Sequence, residues 1–292
     1  MTEIKPLAEG EAWAGAKWYD LADRESGAVR RVFLWVPPEA AGQAPAEGWP
    51  VLYMTDGNAV IATAIDAMRA QACYPSGTNT GWGVLVAIGY PTDDAYDPFR
   101  RSWDLGPPPG QNYPPFWDDG EEVRTGGGGE MARFLLEDVR SFVAAKDRVN
   151  PEHQGLFGHS FGGLFALWLL FQNPKAFSHW IAASPAITWE ESFLLDHLSR
   201  FDAGAAQAYV HLSAGEWEGD HLAPFQTQAP DAAERLKEKA KTRTIAAAQE
   251  MAAALSKHPG LTADYETYGG ENHMSVLPVA VNRAIQRVFA LS

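Results

Sequence analysis

Gly158-His159-Ser160-Phe161-Gly162 constrains this chain more than any other stretch, because of what flanks it. Gln154-Gly155-Leu156-Phe157-Gly158 leads in and reads as a buried strand, while the apolar run Phe161 to Phe171 leads out and reads as a helix. Between them the pattern G-x-S-x-G describes a sharp strand-to-helix turn. Its glycines keep side chains out of a cramped corner, and the turn lifts the serine hydroxyl clear of the sheet. Gly163 adds room for close approach at the helix start. Five residues alone recur by chance, so the flanks carry the inference. The bland alternative is a tight turn with an incidental serine.

The rest of the chain repeats the alternation of strand and helix. Arg30 to Val36 reads as a strand ending at Pro37, Val51 to Thr55 as another, Ala59 to Cys73 as a helix and Val84 to Ile88 as a buried strand. Met131, Phe134, Leu135, Val139, Phe142 and Val143 recur at helical spacing. Further strands are expected at Trp180 to Ala183, Tyr209 to Leu212 and Ala263 to Thr267. Asp231 to His258 reads as helix with a break near Thr242-Arg243-Thr244, and Pro278 to Leu291 as a closing helix. Such an order implies right-handed crossovers feeding a mostly parallel central sheet flanked by helices, a three-layer α/β/α sandwich. With no repeat and no convincing linker, residues 1–292 are expected to form a single domain. Two segments stand out: a loop excursion at 91–129, and a candidate lid or cap at 219–250.

A serine hydroxyl needs an adjacent base to act as a nucleophile. In chain order the acid and then the histidine should follow the serine. His273, in Gly269-Gly270-Glu271-Asn272-His273, lies between a predicted strand and the last helix and is the preferred base, ahead of His221 and His211. His153 and His159 sit too near the serine strand to return as base, and His258 suits a helix end. The acid should leave the strand at 209–212, where Glu218 is preferred, Glu216 is the runner-up and Asp220 comes third. Developing negative charge needs donors: the Phe161 backbone N–H, and the Gly57 or Asn58 amide after an early strand.

Composition limits the partners. Twenty-three basic against thirty-seven acidic residues give a net charge of -14, which disfavours nucleic acid and anionic membrane. That field also repels acidic ligands unless the site carries its own positive charge. Cys73 is the only cysteine, no histidine–carboxylate cluster is evident, and the glycines at 126–129 lack the ending of a phosphate-binding loop. No metal or cofactor is expected. The opening MTEIKPLAEGEAW has no signal-type apolar run, and Leu164 to Phe171 is too short to span a bilayer, so a cytoplasmic location is expected. The oligomeric state is not encoded in any feature of the sequence.

VLYMTDGNAV at 51–60, VAIGYP at 86–91, GHSFGGLFALWLLFQNPKAFSHWIAASPAITW at 158–189, LSAGEWEG at 212–219 and GGENHMSV at 269–276 together resemble the putative-esterase family of α/β-hydrolases. That family includes enterochelin/salmochelin (siderophore) esterases, feruloyl and acetylxylan esterases and S-formylglutathione hydrolases, and the siderophore branch looks most similar. The resemblance implies an α/β-hydrolase fold and a serine esterase acting on a small-molecule ester, with catecholate trilactones as the branch's substrate class. It puts Ser160 and His273 in the nucleophile and base positions and Glu218 where the family's acid lies when present. In some siderophore-esterase relatives that acid is displaced or absent. Arg100 and Arg101 resemble arginines near the mouth of that branch's site. Trp82, Trp103, Phe116, Trp189 and Trp217 are candidates for an aromatic acyl pocket. Ser184 to Trp189 departs from the family's usual SPSLWW, and an export signal like that of periplasmic relatives is not expected. The alternatives are a formylglutathione thioesterase, a feruloyl or acetyl esterase, and a catalytically silent fold used for binding.

Overall fold

The computed structural model describes residues 4–115, 120–204 and 206–291. Two compact units divide the chain: one runs to Phe157 and resumes at Val281, and the other is Gly158–Ala280.

The first unit opens with β1 (Ala8–Glu11), β2 (Lys17–Ala22) and β3 (Val29–Trp35), paired antiparallel in that order. Then come β4 (Trp49–Thr55), α1 (Gly57–Ala72), the short α2 (Pro75–Thr78) and β5 (Val84–Gly89). β5 runs antiparallel to β3 and parallel to β4, and β4 is parallel to β8 (Val149–His159). β4 and β5 are almost entirely buried, as expected of parallel strands covered on both faces. The predicted strands fall on β3, β4, β5 and β8, with Val36 one residue past the end of β3. β1 and β2 were not predicted: β1 is the mostly exposed sequence AEGE, which has no apolar alternation to detect.

The described residues of the 91–129 excursion include regular elements. They hold α3 (Pro98–Leu105), and β6 (Asn112–Tyr113) pairs antiparallel with β7 (Val123–Arg124). Asp97 starts α3 by accepting the Arg100 N–H, with Pro98 at the first helical turn. Phe116 lies outside the described residues. The apolar series at 131–143 forms one helical stretch, α4 (Gly128–Arg133), a π-helical segment (Phe134–Val139) and α5 (Arg140–Lys146).

The second unit holds α6 (Phe161–Gln172), β9 (His179–Ala183), α7 (Glu191–Arg200), β10 (Ala208–Gly215), α8 (Ala232–Thr242), α9 (Thr244–Leu255) and β11 (Leu261–Tyr268). β9, β10 and β11 are all parallel. α6 is buried from Phe161 to Leu170, matching its unbroken apolar sequence. The predicted break in the alanine-rich stretch falls at Arg243, which adopts φ 45° between α8 and α9. α10 (Val276–Val288) closes the fold.

Arg30 ties α3 to β3 from inside the first unit. It is fully buried, donating Nε and Nη2 to the two Asp104 carboxylate oxygens at 2.8 and 2.6 Å, and Nη2 to Glu130 at 2.8 Å. Removing the guanidinium leaves the buried Asp104 carboxylate without its cation. Arg30→Met should therefore lower unfolding free energy by about 3–5 kcal/mol in denaturant titration.

Candidate active site

The end of β8 shows why Gly158 must be glycine. A Cβ there would lie 2.0 Å from the Gly162 carbonyl oxygen. A Cβ on Gly163 would meet Pro185 Cα at 3.0 Å. Between these contacts Ser160 takes φ 58° and ψ -116°, a conformation side chains rarely adopt. Its N–H donates to the Ala183 carbonyl at 3.0 Å, and its carbonyl accepts from Leu164 at 3.0 Å and Ala186 at 3.1 Å. The strained residue is thus held from both sides, at the N-terminus of α6.

Ser160 Oγ stands 3.1 Å from His273 Nε2, and His273 Nδ1 stands 2.6 Å from Glu218 Oε2. The other Glu218 oxygen accepts the Gly215 N–H at 2.8 Å and the Ser184 hydroxyl. Burial alone would push the Glu218 carboxyl up. The hydrogen bond and charge of His273, with the Ser184 and Gly215 donors, hold it below its ordinary value.

Two loops bring these groups together. Trp217 N–H donates to Glu271 O at 2.9 Å, and Gly270 N–H donates to Glu216 Oε2 at 2.6 Å. Of the three carboxylates weighed from the sequence, Glu218 is the one that meets His273. Glu216 ties the loops together, and Asp220 is exposed beside His221. Asn272 accepts from the Met274 and Ser275 N–H groups, while Ser275 Oγ accepts from Asn272 N–H, which caps the start of α10. His159 is buried and donates Nε2–H to the His273 carbonyl at 2.8 Å.

A cavity of about 470 Å³ opens in front of Ser160 and His273. Trp189, Trp217, Phe225 and Lys239 are on its walls. Trp189 packs edge-on to Phe161 at 4.9 Å. The 219–250 segment therefore contributes wall residues, although no residue of α8 is buried. The other aromatics proposed for an acyl pocket are engaged in the first unit: Trp82 with Trp35, and Trp103 beneath the Arg124 guanidinium.

In the first unit, Asp56 takes a left-handed φ of 55° ahead of α1. Its carboxylate accepts Arg101 Nε and Nη2 at 2.7 and 2.8 Å. Arg101, expected to offer a cation to substrate, is ion-paired with Asp56, its side chain 11% exposed. Arg100 stacks on Tyr90 and donates to the Val29 carbonyl. Asn58 straps the start of α1 to the Tyr90 and Thr92 backbone through its side chain. The Gly57, Asn58 and Phe161 amides each lie in the first turn of a helix, where N–H groups lack an intrahelical acceptor.

Sequence reasoning missed Ser184 and Lys239. Ser184 sits in the S-P-A-I-T-W stretch, but its φ of 42°, which turns the hydroxyl toward Glu218, has no sequence signature. Lys239 is one charge in a charged helix.

The family described as "Putative esterase" matches residues 25–275. The ferri-bacillibactin esterase BesA of Bacillus subtilis is 33% identical over 276 residues, 93% of this chain and 88% of its own. The siderophore enterobactin esterase of Emericella nidulans is 39% identical over 210 residues, 70% of this chain and 68% of its own. Among solved structures, the siderophore hydrolase EstA from Aspergillus nidulans superposes with a TM-score of 0.81 at 31% identity, covering 95% of each chain. The fold is that of the α/β-hydrolases, and the chain is an enzyme of the serine-esterase kind. Among the described residues, no helix is long and apolar enough to cross a membrane and no cluster could hold a metal ion.

The lowered Glu218 pKa fixes the sign of one pH effect. Its ionised form stabilises the fold above the ordinary value of 4.5, and that contribution is lost as pH falls toward the lower native value. Glu218→Gln removes the contribution. Denaturant titrations at successively lower pH should show the gap between wild type and variant narrowing below about pH 4.5.

Proposed function

We propose that this chain, which belongs to the Putative esterase family, hydrolyses the ester bonds of a catecholate siderophore trilactone through an acyl-enzyme formed on Ser160. The observation that carries the proposal is the Ser160–His273–Glu218 relay, with 3.1 Å and 2.6 Å between successive partners. Ser160 Oγ attacks the ester carbonyl carbon while His273 Nε2 takes its proton. Glu218 keeps the proton on Nδ1 and stabilises the resulting imidazolium. The Phe161 N–H, at the positive end of α6, donates to the developing oxyanion. The tetrahedral intermediate expels the alcohol, which leaves with the proton from Nε2. Water then attacks the acyl-enzyme with His273 again as base, releasing the carboxylic acid and restoring Ser160.

Two observations support the substrate class. Two relatives, covering 93% and 70% of this chain, are named as a ferri-bacillibactin esterase and a siderophore enterobactin esterase. The aromatic side chains of Trp189 and Trp217 on the cavity wall suit aromatic acyl groups.

The test is parallel hydrolysis of a catecholate trilactone, its iron complex, formylglutathione, methyl ferulate and short-chain nitrophenyl esters. The trilactone or its iron complex should be strongly preferred, and Ser160→Ala should lower kcat/KM by at least about 10⁴-fold. Turnover confined to small activated esters would overturn the siderophore assignment and leave the esterase. Turnover that survives in Ser160→Ala would overturn the nucleophile.

A further inference from the structure

Resting on the esterase reading, we propose that Lys239 is a specificity-determining residue that binds an anionic oxygen, carboxylate or ionised catechol, of the ester substrate. A chain with a net charge of -14 repels acidic ligands, so an acidic ester needs a local cation. Arg101, one candidate from the sequence, is already engaged by Asp56 in a two-point ion pair.

Lys239 is the one lysine or arginine among the described residues that line the cavity, which it shares with Ser160, Trp189 and His273. It projects from α8, and its neighbours Arg235 and Lys241 are exposed and paired with Asp231 and Glu238. Lys239 has no ion-pair partner among the described residues. Its ammonium donates to the Trp217 carbonyl, one residue before Glu218. An ammonium carries three N–H groups, so two remain to be directed at a ligand. The cation is partly desolvated: burial draws its pKa down, and the nearby Glu218 carboxylate draws it back up. Desolvation with no carboxylate in direct contact costs stability, and an incoming anion would offset that cost.

The probes are para-nitrophenyl hemisuccinate for the carboxylate, a catechol-bearing serine ester for the catechol, and para-nitrophenyl butyrate as the neutral reference. In Lys239→Met the acidic-to-neutral ratio of kcat/KM should fall by about tenfold or more, mainly through KM. Lys239→Arg should restore most of it, and Lys241→Met should leave it unchanged. The hemisuccinate and serine-ester arms tell which anion is read. Binding of dihydroxybenzoate to Ser160→Ala, with and without Lys239→Met, gives a readout independent of turnover and should weaken in parallel. An unchanged ratio, or an equal loss on all three esters, would overturn the proposal. The equal loss would assign Lys239 to supporting the Trp217 turn instead. Neither result touches the assignment of Ser160, which fails only if Ser160→Ala keeps its activity.

Discussion

The Ser160 centre depends on the contact between Gly158 and the Gly162 carbonyl, which any side chain at Gly158 would destroy. Because strand and helix meet so closely, Ser160 is driven to φ 58° and ψ -116°. That strain is balanced by backbone hydrogen bonds to Ala183, Leu164 and Ala186. The hydroxyl emerges at the N-terminus of α6, 3.1 Å from the His273 imidazole. The turn that presents Ser160 also starts α6.

A second constraint is electrostatic. Glu218 is buried, and a buried carboxylate is tolerated when its oxygens are satisfied. Gly215, Ser184 and His273 supply the donors, so the carboxylate's own requirements fix the imidazole. The bonds from Trp217 to Glu271 and from Gly270 to Glu216 then hold the two loops in register. All these residues belong to the Gly158–Ala280 unit.

How much of this was legible in the sequence follows from the range of each interaction. The strand-to-helix turn at 158–162 could be read because its steric demand is met by glycines within five residues. The buried strands β4, β5 and β8 could be read because unbroken apolar runs have few other uses. α3 was hidden, because its eight residues are held by a cap at Asp97 and a buried ion pair between Asp104 and Arg30 rather than by an apolar stripe. The sequence left Glu216, Glu218 and Asp220 in competition, since a turn's dihedral angles decide which one faces His273. Ser184 depends on a single left-handed residue, and the pairing of Arg101 with Asp56 joins positions 45 apart.

The central claim is that His273, oriented by Glu218, makes Ser160 nucleophilic. It is tested most directly by the rate at which an organophosphonate modifies the protein, with the labelled peptide identified by mass spectrometry. The account predicts one adduct, on Ser160, formed fast in wild type, slower in Glu218→Gln and slowest in His273→Ala. Labelling at another residue, or an equal rate at Ser160 in all three proteins, would contradict it.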